Sequence, residues 1–155
     1  GIRPALVPLV AAVGLVDAIY LAYVEVTQSE AVCGIVGNCN AVQQSPYAQV
    51  LGVPVGVIGI IGYVAIAIAW GVAQRGSGRS TPMARTALLV MALVGTVFSI
   101  YLTFLEPFVI GATCAWCLIS ALMMLALLWL VAADGWKAVA TFIRPSEKNV
   151  LHKAV

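Results

Sequence analysis

The residues of this sequence that could carry out redox chemistry are four cysteines, arranged in two close pairs. Cys33 and Cys39 have five residues between them, and Cys114 and Cys117 have two. In a helix, the second spacing would place both sulfurs on one face, with Thr113 as the expected N-cap. The positive dipole end at a helix start favours a thiolate, and Cys-x-x-Cys sites lower thiol pKa values to roughly 3.5–7.5. The second pair therefore indicates a reactive dithiol.

Three other kinds of site fit the same spacings. The pairs could be two structural disulfides that brace a loop and a helix. They could form a four-cysteine zinc site, although such sites favour two short knuckles with about two to four residues between their cysteines. They could also be free cysteines in apolar surroundings. The spacing alone leaves these interpretations open beside a redox relay.

The segments around the cysteines are strongly apolar. Of the 155 residues, 63% are hydrophobic and 9% are charged, whereas soluble domains have about 45–50% and roughly 25%. So few polar side chains cannot cover the surface of a soluble domain, and such high hydrophobicity excludes a disordered chain. The net charge of +2 is too small to indicate nucleic-acid binding. The composition indicates an integral membrane protein.

Four apolar stretches are long enough to cross a bilayer, for which a helix needs roughly 20 residues. They cover residues 5–24, 53–73, 86–105 and 109–133. We therefore predict an all-α bundle of four transmembrane helices. The first stretch is too long for the apolar region of a signal peptide, which argues against that alternative. Residues 136–144 are expected to form a short helix on the inner membrane surface.

The basic residues indicate how the bundle is oriented in the membrane. All eight Lys and Arg residues lie in the polar pieces 1–4, 74–85 and 134–155, and none lies in 25–52 or 106–108. Because short cytoplasmic loops carry an excess of Lys and Arg, we predict that both termini are cytoplasmic. All four cysteines then lie outside the cytoplasm, where disulfides persist.

The long outer loop is predicted to carry a short half-helix that lies over the bundle. Ser45 followed by Pro46 is a good helix start. Gly52 is a helix stop, and Pro54 can open the second span. We expect the loop's apolar side chains to face down, namely Val42, Tyr47, Val50 and Leu51. The alternative is an interfacial loop that merely closes the bundle.

Two features inside the predicted spans have both a structural and a functional interpretation. A run of glycines could allow close helix packing or leave room for a flat ligand ring; it comprises Gly52, Gly56, Gly59 and Gly62. Asp17 is a carboxylate within the first span, which makes it a functional candidate. It could deliver protons to a carrier or make a hydrogen bond within the bundle.

An ordered set of residues runs from the outer loop to the fourth span. It consists of Cys33, Cys39, Val42, Ser45-Pro46-Tyr47, Gly52, Pro54, Gly59, Tyr63, Ser99-x-Tyr101-Leu102 and Cys114-x-x-Cys117. This set resembles the bacterial homologues of vitamin K epoxide reductase, over roughly residues 10–130. The resemblance implies one four-helix membrane domain over 1–145, followed by a cytoplasmic tail at 146–155.

The resemblance also implies an enzyme, a thiol-disulfide oxidoreductase with a quinone (ubiquinone or menaquinone) as cofactor. By analogy, Cys114 and Cys117 are the active-site pair, and Cys33 and Cys39 shuttle electrons to them. A separate thioredoxin-like, DsbA-type partner would supply these electrons. The protein itself would lie in the bacterial inner membrane. The residues expected at the quinone are Cys117, Ser45, Tyr101 and Trp116. The expected role is to support disulfide bond formation.

One departure from the family pattern and one comparison with another family limit what the resemblance implies. Vertebrate members have a tyrosine four residues beyond the second active-site cysteine, where this sequence has Ala121. That difference favours plain quinone reduction over epoxide reduction, which stays an alternative. DsbB-type oxidases also have four spans, but their Cys-x-x-Cys pair lies in the first outward loop. A membrane scaffold with two structural disulfides is the alternative from another class of protein.

Overall fold

The computed structural model describes residues 2–35 and 37–143. In chain order its elements are α1 (Ile2–Thr27), α2 (Cys39–Gln43), a 3-10 helix (Pro46–Ala48), β1 (Gln49–Val50), β2 (Val53–Pro54), α3 (Val55–Arg75), α4 (Ser80–Leu105), a π-helical turn (Glu106–Ile110) and α5 (Ala115–Ile143). Within these residues, the four long helices α1, α3, α4 and α5 are apolar enough to cross a membrane. The predicted fold class is therefore confirmed, including a short helix in the loop after α1.

The four long helices pack in a ring. α1 contacts α3, α3 contacts α4, α4 contacts α5, and α5 closes the ring against α1. Tyr63, Ile66 and Leu127 are almost completely buried inside it. Many large apolar side chains point outward instead, for example Val16 and Trp129. Such a surface suits the hydrocarbon of a bilayer and would be costly in water.

Glycines bring α1 and α3 close together. A side chain at Gly56 would collide with the backbone of Ala22, and one at Gly14 would collide with the ring of Tyr63. Nothing lies within 4 Å of the position where a Cβ of Gly62 would be. Close helix packing is thus confirmed at Gly56, whereas Gly62 leaves open space inside the bundle.

The boundary between the third and fourth spans differs from the predicted link at 106–108. The chain continues α4 through the π-helical turn and ends it at Gly111, which has a left-handed φ of 76°. Pro107 has no N–H to donate, which favours an altered hydrogen-bond pattern at this point. The fourth helix begins at Ala115 and not at residue 109. Cys114 therefore precedes the helix and does not lie in its first turn.

The start of α4 and the end of α5 also extend further than predicted. α4 begins at Ser80, because Pro82 lies in its first turn, where a missing N–H is tolerated. The separate surface helix predicted for 136–144 is wrong, since residues 136–143 continue α5. Gly135 does not break the helix there, because its missing side chain makes room for Leu89 of α4. Residue 144 and the predicted tail at 146–155 lie outside the described residues.

The helix in the loop between α1 and α3 lies earlier than predicted. α2 is capped by Asn38, whose side chain accepts a hydrogen bond from the Ala41 N–H at 3.2 Å. Ser45 precedes only the three-residue 3-10 helix, and its hydroxyl donates to the Val42 carbonyl. A hairpin of β1 and β2 then replaces the predicted helix end.

The hairpin explains why Leu51, one of the side chains predicted to face the bundle, is exposed. Leu51 and Gly52 both have positive φ angles, as a two-residue type I′ hairpin turn requires. This turn places Leu51 at the tip, where it is 99% exposed. Val42 of α2 is buried as predicted, whereas Tyr47 and Val50 are partly exposed.

Candidate redox site

Both cysteine pairs lie in one apolar cluster at the loop end of the bundle. Cys33 and Cys39 form a disulfide, and Cys114 and Cys117 are free thiols. All four pack together with Val24 and other apolar side chains from α1 and the loop. Cys39 and Cys114 are completely buried. The fold thus brings together four residues that the sequence separates by up to 84 positions (117 minus 33).

A short backbone strap holds the loop against the start of α5. The Asn38 N–H donates to the Thr113 carbonyl at 2.9 Å, and Gly37 forms a β-bridge with Cys114. Gly37 has a φ of 88°, and a side chain there would collide with the Thr113 carbonyl. This position therefore requires glycine. The strap places Cys39 beside the Cys114–Cys117 pair.

Two aromatic residues hold the first part of the loop. Trp116 donates its indole N–H to the Val32 carbonyl at 2.9 Å, and the Tyr20 hydroxyl accepts the Val32 N–H at 2.9 Å. The two rings pack with their centroids 4.6 Å apart. They therefore fix the strand that carries Cys33 relative to α1 and α5.

Cys114 is the N-cap of α5, a role that the sequence assigned to Thr113. The Thr113 carbonyl is occupied by the loop strap, and the Cys114 sulfur accepts the Cys117 N–H at 3.4 Å. Hydrogen bonds from Cys117 and Gln43 hold the pKa of Cys114 below its usual value of 9.0, although burial and the nearby Glu106 act in the opposite direction. Cys114 is therefore the thiol of this pair that forms a thiolate more readily.

Gln43 and Glu106 are two site residues that the sequence did not single out. The Gln43 amide nitrogen lies 3.6 Å from the sulfurs of both Cys114 and Cys117. Glu106 is 2% exposed, and its carboxylate accepts the Cys114 N–H at 2.8 Å. A glutamine in a loop gives no sequence signal. A lone acid between the apolar Leu105 and Pro107 is a signal that could have identified Glu106.

An apolar cavity of about 500 Å³ opens within the bundle beside this site. It is lined by residues of all four long helices, and Cys117 lies on its wall. Gly56, Gly59 and Gly62 form part of the opposite side. A second, small cavity of about 40 Å³ lies on the loop side of Cys117 and is lined by Gln43 and Glu106, among others. Cys117 is thus the cysteine that faces both spaces.

Comparison with known proteins identifies this arrangement. Residues 5–132 match the vitamin K epoxide reductase family. The chain belongs to this family. A similar protein is the thiol-disulfide oxidoreductase LTO1 of Arabidopsis thaliana, with 34% identity over 125 residues, which cover 77% of this chain. The match covers 33% of LTO1, so the chain corresponds to about a third of that relative. Together with its four apolar helices, family membership makes the chain a multi-pass membrane protein.

The other predicted quinone contacts of this family member lie at different places. Ser45 lines the small cavity. Trp116 lies under the loop against Tyr20. Tyr101 is 56% exposed and is not among the residues that line the large cavity, although its neighbours Ser99 and Leu102 are. The roles of Ser45, Tyr101 and Trp116 stay predictions.

Asp17 lies deeper in the bundle of this family member. Its carboxylate is buried beside the Ser120 side chain, and the Tyr63 hydroxyl lies 3.1 Å from the Ser120 hydroxyl. Tyr63 and Ser120 line the large cavity. Both interpretations of Asp17 stay open. Within residues 2–35 and 37–143, no group of three or more His, Cys, Asp or Glu side chains could hold a metal ion.

Proposed function

We propose that this protein is a membrane thiol-disulfide oxidoreductase that takes an electron pair from a thioredoxin-like partner and passes it to a membrane quinone. One observation carries the proposal. The Cys33–Cys39 disulfide packs in one cluster with the free Cys114 and Cys117, and Cys117 also lines a large apolar cavity. The printed name of the similar Arabidopsis protein, a thiol-disulfide oxidoreductase, supports the same chemistry.

The large cavity fits a quinone. Its volume of about 500 Å³ lies within the range of roughly 300–1,000 Å³ that small-molecule sites have. Its wall is apolar, and Gly62 leaves room for a flat ring. Ser99, Thr103 and Ser120 supply the few hydroxyls that could bind its carbonyl groups. When bound, a quinone (ubiquinone or menaquinone) supplies an acceptor for two electrons and two protons.

The loop pair receives the electrons. A thiolate of the reduced partner attacks the sulfur of Cys33, which is the more exposed of the two loop cysteines, since Cys39 is completely buried. A mixed disulfide between the partner and Cys33 forms, and Cys39 leaves as a thiolate. The second thiol of the partner then attacks its own mixed disulfide. The partner departs oxidised, and both loop cysteines are reduced.

The loop pair then reduces the active-site pair. The Cys39 thiolate attacks Cys114 in a Cys114–Cys117 disulfide, which forms a Cys39–Cys114 bond and releases Cys117. Cys33 attacks Cys39, restores the loop disulfide and releases Cys114 as a thiolate. The Gln43 amide and the Cys117 N–H stabilise that thiolate. The products of this step are a Cys33–Cys39 disulfide and two free thiols, the same oxidation state as in the structure.

We also propose that the redox site lies outside the cytoplasm, in the bacterial inner membrane. The loop and the start of α5 lie at one end of the ring. The α3–α4 connection, with Arg75 and Arg79 beside it, lies at the other end. Arg3 also lies away from the cysteines, over the ring of Trp129. This distribution supports the orientation that the positive-inside rule predicts.

Turnover with a dithiol protein and a quinone tests the proposal directly. Purified protein in lipid is mixed with a reduced thioredoxin-like protein and either ubiquinone or menaquinone, and quinone absorbance is followed. We expect turnover that Cys117→Ser abolishes. In that variant, the Cys33–Cys39 disulfide should still exchange with the partner, because the first step does not use Cys117. Absence of turnover in the native protein with either quinone would favour the scaffold with two structural disulfides.

A further inference from the structure

The oxidation of Cys114 and Cys117 requires a group that takes up a proton. Cys114 is the thiol of the pair whose pKa is lowered, chiefly by its hydrogen bond with the Cys117 side chain. Its proton therefore leaves first, and the remaining proton of the pair lies on Cys117. Disulfide formation removes this proton together with the electron pair. Cys117 is partly buried and lines two cavities. A protein base that lines one of these cavities is placed to take this proton directly.

Glu106 is the group in the right position. One of its carboxylate oxygens accepts the Cys114 N–H at 2.8 Å. The other, Oε1, is buried and makes no hydrogen bond of standard geometry among the described residues. Glu106 and Cys117 line the same small cavity, and the Cys117 thiol interacts with the Glu106 carboxylate. A buried carboxylate oxygen without a well-formed hydrogen bond is costly, so its position beside a reactive thiol calls for a functional explanation.

Other groups around the small cavity fit this role less well. Gln43 has an amide, which does not accept a proton at neutral pH. Glu25, from α1, accepts the N–H of Gly56 at 2.8 Å, but Glu106 and not Glu25 is the carboxylate that interacts with Cys117. Tyr47, from the 3-10 helix, also lines the cavity, but a neutral phenol is not a base that takes up a proton. Among the described residues that line the cavity, the one other titratable group is Cys117 itself.

We propose that Glu106 is a catalytic residue, the general base that takes the proton of Cys117 when the Cys114–Cys117 disulfide forms. The S–H bond of Cys117 breaks, its proton moves to the Glu106 carboxylate, and a bond forms between the sulfurs of Cys117 and Cys114. The electron pair goes to the quinone, so this inference rests on the proposed function. Two protons end on the quinol, one from Cys117 and one that Cys114 released when its thiolate formed.

A probe that needs no quinone separates this inference from the proposed function. An apolar aromatic disulfide, dithiodipyridine, can enter the large cavity and react with Cys117, which releases a coloured pyridinethione. Cys114 then attacks Cys117 and releases a second pyridinethione. The experiment uses the full chain with Cys33→Ala and Cys39→Ala, so that only the second pair carries thiols. The rate of the first release reports how readily Cys117 loses its proton.

Glu106→Gln is the decisive variant, because glutamine keeps an oxygen for the Cys114 N–H but cannot act as a base. We expect the first release to slow by about 100-fold or more, as for loss of a general base. Its rate should then rise about tenfold per pH unit, because only the spontaneous Cys117 thiolate reacts. Glu106→Asp keeps a carboxylate and should recover part of the rate. Glu25→Gln, the matched control on the same cavity, should leave the rate unchanged.

Each result either supports or overturns the role of Glu106. A native rate and a native pH profile in Glu106→Gln would overturn it, and would show that the carboxylate only holds the Cys114 N–H. Equal slowing in Glu25→Gln would also overturn it. If Glu106→Gln does not fold, the rates of Glu106→Asp and Glu106→Ala are compared instead. A Glu106→Asp rate below that of Glu106→Ala would overturn the role of Glu106. If Glu106→Gln slowed the first release as expected but the native protein reduced no quinone, the proposed function would be refuted. The role of Glu106 as the base for Cys117 would still stand.

Discussion

At the scale of single residues, a few polar groups in apolar surroundings determine how readily Cys114 forms a thiolate. Cys114 is completely buried, which by itself disfavours a thiolate. The Gln43 amide and the N–H of Cys117 offset that effect at short range. Because the surroundings exclude water, each of these hydrogen bonds is stronger than it would be at the surface. The reactivity of the pair therefore depends on very few side chains.

Replacement of Gln43 by leucine should raise the pKa of Cys114. The amide donates to the Cys114 sulfur, and a hydrogen bond to a charged group contributes about 1.5 kcal/mol. Since one pKa unit corresponds to about 1.36 kcal/mol, we expect a rise of about one unit in the lower apparent pKa of the pair. The measurement is a pH titration of thiolate absorbance in the Cys33→Ala, Cys39→Ala background.

The pKa of Cys114 also determines how turnover depends on pH. A thiol with a lowered pKa stays ionised until the pH falls through that pKa, so turnover should decline on the acid side. In Gln43→Leu the decline should begin at a higher pH. Gln44→Leu is the matched control, because Gln44 is the exposed neighbour and should leave the titration unchanged. An unshifted titration in Gln43→Leu would contradict the stabilising role of the amide.

At the scale of elements, the loop strap decides whether the two cysteine pairs can meet. α2 and the start of α5 come from distant parts of the sequence, and the Asn38–Thr113 hydrogen bond and the Gly37–Cys114 bridge join them. The helix of α2 is only five residues long, so it has little stability of its own. The strap must therefore hold it in position.

Gly37→Ala should disturb this element and slow electron transfer between the pairs. Alanine would collide with Thr113, and the left-handed conformation costs a non-glycine residue roughly 1–2 kcal/mol. We expect transfer from reduced Cys33 and Cys39 to a Cys114–Cys117 disulfide to slow by about tenfold or more. Rapid quenching followed by thiol labelling measures this rate.

Gly34→Ala is the control for the strap. Gly34 lies in the same loop, has no positive φ, and has open space where a side chain would be. Its substitution should leave the transfer rate close to native. If both variants transferred electrons at the native rate, the strap would not be what brings the pairs together.

The sequence predicted the long elements better than the short ones. Helices α1, α3, α4 and α5 follow from apolar runs, which dominate when a helix lies in a membrane. In the loop, the sequence indicated a helix start at Ser45-Pro46, whereas α2 begins after Asn38, whose side chain caps it. The four cysteines are visible in the sequence by type and spacing. Gln43 and Glu106 become site residues only through the packing of the loop and the π-helical turn against α5.

At the scale of the whole molecule, the ring of helices separates two chemical environments. One end carries the loop, the polar groups and four sulfurs, and the middle contains the apolar cavity. Cys117 lies at the junction of the two. In the proposed mechanism a water-soluble protein exchanges with the loop pair and a lipid-soluble acceptor with the Cys114–Cys117 pair, so the two need not meet. Close packing of α1 and α3 through Gly56 supports the ring next to this cavity.

The most direct test of the central claim is a search for a disulfide between Cys39 and Cys114. Cys33→Ser removes the residue that would resolve this intermediate and leaves Cys39 as a free thiol. Oxidation of the Cys114–Cys117 pair to its disulfide by added quinone should therefore accumulate the crosslink. Non-reducing peptide mapping should find the Cys39–Cys114 crosslink, and its yield should fall to background when Cys114→Ser is added. If Cys33→Ser formed no such crosslink while its Cys39 thiol was free and its Cys114–Cys117 disulfide intact, the two pairs would not exchange electrons as proposed.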